Sequence, residues 1–577
     1  MDWLITNIQK PSLPENCTRR YDGDGFSLFT GKPLYIDEQT SVGCLLDGYV
    51  LNRLHLNRTI TNEKQLVNLY FQYGEQFIKH FKGYFSVIVM KDNYFRIFSD
   101  HLGLKKFFYY ISDDVFLISS SIDALLLNVP ATFDRRSIIQ HSLFNRFVGR
   151  GTPYKNIGHN RPAMTVQYSG KITIDTYWKY GDLTGQQAGR RGMQDITDYF
   201  RRILRGYLDA LQPGRVSVPL NGGVACRTIL AGLLAEETTP VTYGYAHPES
   251  NDGKYGKLTA DELFLEFTHH HFKADAAGYS ELVNEIRHNG NGIVSPHRAY
   301  RLYGMKQAST YSKIIFLGHL GEEMIQGPVF DDLVVSRPVR ETWEGKLKLI
   351  DIVTGAFRRA YFRDEKSDME YAKYELTYFN KGNIEERFAR HLFGVHAHLH
   401  AAQDLMLIDR YATPVPVYLD IDYLTMLFSS RYNYLHARGF RKNELRSQRN
   451  LKYHSSMMQY LQPSLIDIPL GNHRTPRTYL RNRFAASIAS AIRGTFHKKN
   501  YKPKFSYAPW YSEYITGELN NNAAYTEYFD LSDIDIADIN PSTEAGCFPF
   551  TRIAETGHLL ARLYRASAGS EKEIVLK

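Results

Sequence analysis

The sequence predicts a protein of mixed α/β and α+β class, built in two halves. Three observations carry this. Residues 25–180 run as short strand-forming stretches divided by turn residues, with one helical stretch among them. Residues 181–192, "GDLTGQQAGRRG", are rich in Gly, Gln and Arg, lack an apolar period and read as a linker. Beyond them strands alternate with helices, which implies a parallel sheet covered on both faces. The expected organisation is a first domain over 1–180, a linker over 181–192 and a second domain over 193–577, mostly helical from 340 to 565.

In chain order, "NEKQLVNLYFQYGEQFIKHF" (62–81) places Leu66, Val67, Leu69, Tyr70, Phe77 and Ile78 near the helical period and predicts a helix. "YFSVIVMKD" (84–92) and "YFRIFSD" (94–100) form a hairpin about Asn93. "FFYYISDDVFLISSS" (107–121) turns at Ser112-Asp113-Asp114, and "MTVQYSGKITIDTYW" (164–178) turns at Ser169-Gly170. After the linker, "MQDITDYFRRILRGYLDAL" (193–211) carries one apolar stripe and predicts an amphipathic helix. "RVSVPL" (215–220), "VTYGY" (241–245) and "KIIFLG" (313–318) read as strands between helices.

Composition is that of a soluble globular chain. Of 577 residues, 43% are hydrophobic and 23% charged, with a formal net charge of +9. The excess charge is scattered, so it favours anionic partners only mildly, and nucleic acid is not favoured. The four cysteines, Cys17, Cys44, Cys226 and Cys547, lie far apart and make neither a C-x-x-C pair nor a disulfide framework. No signal peptide and no apolar run of membrane-spanning length is seen, so a cytoplasmic protein without a membrane partner is expected.

The stretch "VPLNGGVACRTIL" (218–230) reads as strand, glycine turn and helix start. Two glycines let the backbone approach an anion, and the first helical amides are free to donate to it. On its own a Gly-Gly turn is more often a plain connection, and neither the common phosphate-loop motif nor a full dinucleotide fingerprint is present.

Several ordered segments are more specific. "LNGGVACRTILAGL" is similar to the Ser-Gly-Gly-x-Asp-Ser pyrophosphatase loop of the asparagine synthetase family. "LLDGYVLN" (45–52), "QYGEQFIKHFKGYFSVIVMKDNYFRIFSDHLGLKKFFYY" (72–110), Thr176-Tyr177-Trp178, "FLGHLGEEMIQG" (316–327) and "PVPVYLD" (414–420) resemble further segments of that family, in its order. The resemblance spans roughly residues 25–480. It implies an N-terminal class II amidotransferase-like αββα sandwich and a C-terminal Rossmann-like parallel-sheet ATP-pyrophosphatase domain. It also implies ATP and Mg2+, adenylation of a carboxylate, and displacement of AMP by an amine.

In its first domain this chain departs from the family twice. Residue 2 is Asp2 where the family's glutaminase uses an N-terminal cysteine. Asp47-Gly48 stands where an Asn-Gly would stabilise an oxyanion, and a carboxylate there opposes negative charge. The expectation is a domain without glutaminase activity, a property shared with β-lactam synthetases and lasso-peptide cyclases, which join a substrate's own amine to its own carboxylate. In the second domain Ala225 replaces the metal-binding Asp, and a methyl group cannot ligate Mg2+. His319 replaces another acid, while Glu322 keeps one.

By resemblance the nucleotide falls to Asn221, Gly222, Gly223, Cys226, Arg227 and Gly318, with Arg227 adding positive charge for phosphate. Glu322 is the remaining metal ligand, and Lys452, Glu322 and Arg474 are the catalytic candidates, Arg477 lying near the same basic position as Arg474. His396, His398 and His400 form an alternating run in which His396 and His400 share a helical face. Packing or surface roles fit that run better than a metal. His269-His270-His271 reads as structural, and the basic stretch 493–505 as a solvated loop.

Three functions stay open at this level. One is a divergent ATP-dependent amide-forming ligase, closing a ring in a peptide or natural-product precursor, with a carboxylate-bearing small molecule or peptide as substrate and a precursor-peptide-binding protein as partner. The others are a binding protein without chemistry and an ammonia-dependent asparagine synthetase.

Overall fold

The computed structural model describes residues 3–480, except 15–16, 54–58, 61, most of 131–150, 185–188, 190–191, 271, 273–274, 296–297, 327–388, 391 and 434–444. Most of the stretch expected to be helical from 340, the basic segment 493–505 and Cys547 lie outside the described residues.

The strands of the first half are β1 (Trp3–Thr6), β2 (Arg19–Gly23), β3 (Phe26–Thr30), β4 (Tyr35–Ile36), β5 (Gly43–Asn52), β6 (Thr59–Ile60), β7 (Phe81–Lys91), β8 (Tyr94–Ser99), β9 (Phe108–Ile111), β10 (Phe116–Ser119), β11 (Ile157–His159), β12 (Met164–Tyr168) and β13 (Ile172–Thr176). They form two antiparallel sheets, ordered β11-β9-β10-β1-β3-β2 and β13-β12-β8-β7-β5-β4, with β6 paired to β5. Period-two alternation decides what each face buries. Along β7, Ile88 and Met90 point at the other sheet and pack with Trp3, Ile5, Phe26 and Leu28. Phe85, Val87 and Val89 point the other way, onto Leu66, Val67, Phe77 and Ile78.

Those last four residues do not sit on one helix as expected. Helix α1 (Glu63–Tyr73) starts at Asn62, whose side chain accepts from the Gln65 amide, and it stops at Gly74 with φ +56°. A 3₁₀ segment, Gly74–His80, then leads into β7. A glycine at positive φ carries no Cβ penalty and ends the helix there. The three predicted hairpins form at the expected turns, as β7–β8, β9–β10 and β12–β13.

The second half holds a parallel sheet of β14 (Val216–Pro219), β15 (Val241–Gly244), β16 (Phe267–His269), β17 (Ile314–Leu317) and β18 (Thr413–Pro416), ordered β16-β15-β14-β17-β18. Helix α2 (Met193–Leu211) buries Ile196, Phe200, Ile203, Leu204 and Tyr207, the predicted stripe. Helix α3 (Ala225–Ala235) follows β14, α4 (Asn251–Glu262) follows β15, and α5 (Ala299–Ala308) precedes β17. Strand β14 has β15 on one side and β17 on the other, so the chain leaves β14 and β17 in different directions. In open parallel sheets this switch point opens a crevice beyond the strand ends. The predicted linker begins with a helical turn, Gly181–Thr184, and Gly189 donates its amide to the Ser429 carbonyl. Among the described residues no helix is long and apolar enough to cross a membrane.

Buried charge joins the two halves. Asp100 shapes its loop by accepting from the amides of Leu102, Leu104 and Lys105 at 2.8–3.1 Å. That loop sends Lys105 to Asp47 at 2.8 Å and to Asp409 of the second half. Lys82 lies 3.0 and 3.1 Å from Asp420 and Asp422, and Arg53 bonds Asp422 at 2.8 Å. The Tyr49 hydroxyl donates to the Pro414 carbonyl at the head of β18. Removing one member of such a buried pair strands the other, at about 3–5 kcal/mol.

Candidate functional site

The glycine turn lies at the switch point. Asn221-Gly222-Gly223 joins β14 to α3, and Gly318–Glu322 follows β17 beside it. Two backbones meet closely here. A Cβ on Gly222 would stand 2.6 Å from the Cα of Gly471, and the Gly471 amide donates to the Gly222 carbonyl at 2.8 Å. Only glycine fits that approach.

Three successive loop amides have side-chain acceptors of this same chain. The Gly222 amide donates to Asp252 Oδ1 at 3.2 Å. The Gly223 amide donates to Asn221 Oδ1 at 2.8 Å, and the Val224 amide to Glu322 Oε1 at 3.2 Å. Glu322 Oε2 in turn accepts from Asn450 at 3.1 Å. The amides that the resemblance assigns to phosphate are thus met by two carboxylates and an amide oxygen. A hydrogen bond to a charged acceptor contributes about 1.5–3 kcal/mol, so an incoming anion has real competition.

A cavity of about 450 Å³ opens beside the loop, lined in part by Asn221, Cys226, Arg301, Gly318, His319 and Glu322. Burial pushes the Cys226 thiol up to about 12, so it stays a thiol. The structure therefore brings together five of the sequence-derived candidates, Asn221, Gly222, Gly223, Gly318 and Glu322, with Cys226 beside them.

Three other candidates stand elsewhere. Arg227 was expected to face phosphate, but its guanidinium is fully buried and donates to the carbonyls of Ile468, Tyr255 and Pro469. It ties the loop's underside to the chain near Gly471, and burial lowers its pKa to about 9. Lys452 is exposed on helix α6 (Leu445–Leu461) and does not line the cavity. The residues of that helix that meet the site are Asn450 and His454, which bonds Thr228 and the Gly321 carbonyl. They are four apart and share a face, whereas position 452 is turned away. Arg474 is half-buried outside the cavity, and Arg477 pairs with Asp467 on the surface.

Glu322, the expected metal ligand, bonds the Val224 amide through Oε1 and Asn450 through Oε2. Among the described residues no three His, Cys, Asp or Glu side chains converge to hold an ion. Ala225 lines the cavity with a methyl group, and Asp404 is taken by Arg298, Arg301 and His319. These residues do not fit Mg2+, which demands near-octahedral oxygen ligation.

The histidine run divides as its spacing implies, on a π-helical segment, Leu392–Ala401. His396 and His400 line the cavity with ring centroids 6.3 Å apart. His398 points at the first half, where Lys106 Nζ lies 2.8 Å from its Nδ1. His269 and His270 bond the Ala246 carbonyl and the Tyr311 hydroxyl and act structurally.

Sequence reading missed Asp252, Arg298, Arg301 and Asp404. Asp404 is fully buried; burial alone would raise its pKa, but Arg298, Arg301 and His319 outweigh it and hold the carboxylate well below its usual range. In the first half, Asp47 is in the same situation. Burial is outweighed by Lys105 and Lys32, the latter at 2.6 Å, and Trp3 Nε1 donates to it at 3.0 Å.

Residues 50–178 match a glutamine amidotransferase domain. That segment contains β6–β13: three of the six strands of one antiparallel sheet and five of the seven of the other. Over 268 residues the chain is 24% identical to a glutamine-hydrolysing asparagine synthetase, number 3, of Bacillus subtilis strain 168. That match covers 44% of this chain and 42% of the relative, less than half of either. Two solved structures are also similar. One is described as the allosteric regulatory enzyme of purine biosynthesis, with 11% identity, 38% of this chain and 50% of that chain covered, and a TM-score of 0.20. The other is glutamine phosphoribosylpyrophosphate amidotransferase from B. subtilis complexed with ADP and GMP, with 10% identity, 55% and 65% covered, and a TM-score of 0.19. Superpositions this loose carry no argument.

Proposed function

We propose that the chain is an asparagine-synthetase-like ligase that forms an amide bond without hydrolysing glutamine. It activates a substrate carboxylate with ATP as an acyl adenylate, and an amine displaces AMP. The observation that carries this reading is the cavity at the β14–β17 switch point, with the glycine loop in one wall and Arg301 in another, in a chain similar to asparagine synthetase. Loss of glutamine hydrolysis is supported by Asp47. A buried carboxylate bound by two lysines and an indole leaves no donor for an oxyanion at that position. Without glutamine-derived ammonia the amine must come from another source, and this reading takes it to be the substrate's own, closing a ring in a peptide or natural-product precursor. ATP is a substrate here; no step runs through a metal, because the described residues do not fit one.

A second reading, a binding protein without chemistry, is favoured by one observation. The three loop amides already have acceptors within the chain. Calorimetry of ATP, with and without Mg2+, on this chain and on Ala225→Asp separates the two. The ligase reading expects this chain to bind ATP with little dependence on Mg2+, and Ala225→Asp to make binding Mg2+-dependent. Failure of both to bind sinks the ligase and leaves the binding protein.

A further inference from the structure

We propose that the cavity contains a carboxylate-recognition subsite centred on Arg301, apart from the glycine loop, which holds a carboxyl group of the ligand. Arg301 comes from helix α5 and lines the cavity with its side chain a third exposed. Its guanidinium is held at two of its three nitrogens. Nη1 bonds Asp404 at 2.7 Å, Nε bonds the Tyr300 hydroxyl at 3.1 Å, and the group lies over the Tyr300 ring at 5.8 Å. Nη2 has no hydrogen-bond partner among the described residues and is not sealed off in the interior.

Charge favours an anion at Nη2. Arg298 also pairs with Asp404, so two guanidinium groups share one carboxylate. His319 bonds the same Asp404 oxygen as Arg301, at 3.0 Å, which places both side chains on one anchor. A guanidinium already oriented by its neighbours loses little freedom on binding, and Nη2 is left to donate to a carboxylate oxygen.

The rest of the wall selects the kind of anion. Glu322 and Glu323 also line the cavity, and they oppose a phosphate dianion more than a single negative charge. The nearby loop amides, which would add donors for phosphate, are bonded to Asp252, Asn221 and Glu322. A singly charged carboxylate suits this field better. The inference deepens the ligase reading by naming the group that holds the substrate, but it concerns binding alone.

The test is titration of the full chain with butyrate, a single carboxylate, and, separately, inorganic phosphate, followed by ligand-observed NMR. Wild-type protein is expected to bind butyrate more tightly than phosphate. Arg301→Gln should weaken butyrate at least tenfold. Arg301→Lys, which keeps the charge beside Asp404 but removes the Nη2 donor, should weaken it by a smaller factor while retaining the wild-type thermal unfolding midpoint. Arg477→Gln, on the surface, should change nothing. Unchanged butyrate binding in Arg301→Gln, phosphate binding as tight as butyrate, or no butyrate binding by wild type would overturn the proposal. A chain inactive as a ligase yet showing Arg301-dependent butyrate binding refutes the ligase and leaves the subsite standing.

Discussion

Stability will fall steeply as the pH drops from about 6.5 toward 4. Four buried imidazoles drive this. Burial pushes His101 and His159 down to about 3 and His454 to about 4, and it holds His398 well below its usual range, with Lys106 adding to the effect there. A group whose folded pKa is depressed contributes stability that is present above its unfolded pKa, here near 6.5, and is lost as pH falls toward the folded value. In that window the unfolded chain binds protons that the folded chain refuses. Each such group changes stability by about 1.4 kcal/mol per pH unit. Asp100 works the other way. Burial raises it to about 6, so it offsets roughly one histidine between about pH 6 and 4. The net slope is on the order of 3–4 kcal/mol per pH unit, a large part of a typical total stability of about 5–15 kcal/mol. Urea unfolding at pH 7.5, 6.5 and 5.5 measures it. A midpoint that holds steady from 6.5 to 5.5 would contradict the burial of these rings. His101, His159 and His398 lie at or near the junction of the halves, so the junction should open first, with early exposure of Lys106.

Glu322→Gln combined with Asp252→Asn will strengthen binding of pyrophosphate and ATP. Both substitutions keep an oxygen able to accept from the Val224 and Gly222 amides, so the loop's shape is preserved. Both remove a negative charge from the place an anion would take. At an effective dielectric near 20, relieving like charge at such distances is worth about 1.4 kcal/mol or more per carboxylate, a factor of about ten each. Calorimetry with inorganic pyrophosphate reads the change directly. Equal affinity for the double variant and the parent would show that these carboxylates do not guard the loop. The same prediction distinguishes Glu322 as competitor from Glu322 as ligand. A metal ligand converted to an amide would weaken Mg2+-dependent binding instead.

Local signals explain what the sequence disclosed. The stripe on Met193–Leu211 and the turns of the three hairpins are written within a few residues, and those elements form where expected. The glycine loop is legible for the same reason. The apolar period over 62–81 overstates the helix, because Phe77 and Ile78 keep that period across Gly74 and only the positive φ at that glycine breaks it. The loop's bonding was not legible. Its acceptors come from 30 and 98 residues away, and Arg301 reaches Asp404 across 103 residues. Arg227 misled for a related reason. A basic residue in the first turn of a helix suggests an anion, yet its side chain turns beneath the loop and satisfies three carbonyls that would otherwise be stranded. Lys452 carries the resemblance, but Asn450 and His454, two positions to either side, are the residues that meet the site, and two positions move a helical residue to the opposite side.

The measurement that bears most directly on the central claim is exchange of labelled pyrophosphate into ATP by the intact chain, across a panel of peptides and small acids carrying a free carboxylate and an amine. The ligase account predicts exchange that requires one class of carboxylate substrate and is unaffected by glutamine. Absence of exchange with every carboxylate, in protein shown by calorimetry to be folded and to bind ATP, would contradict it and assign the cavity to recognition alone.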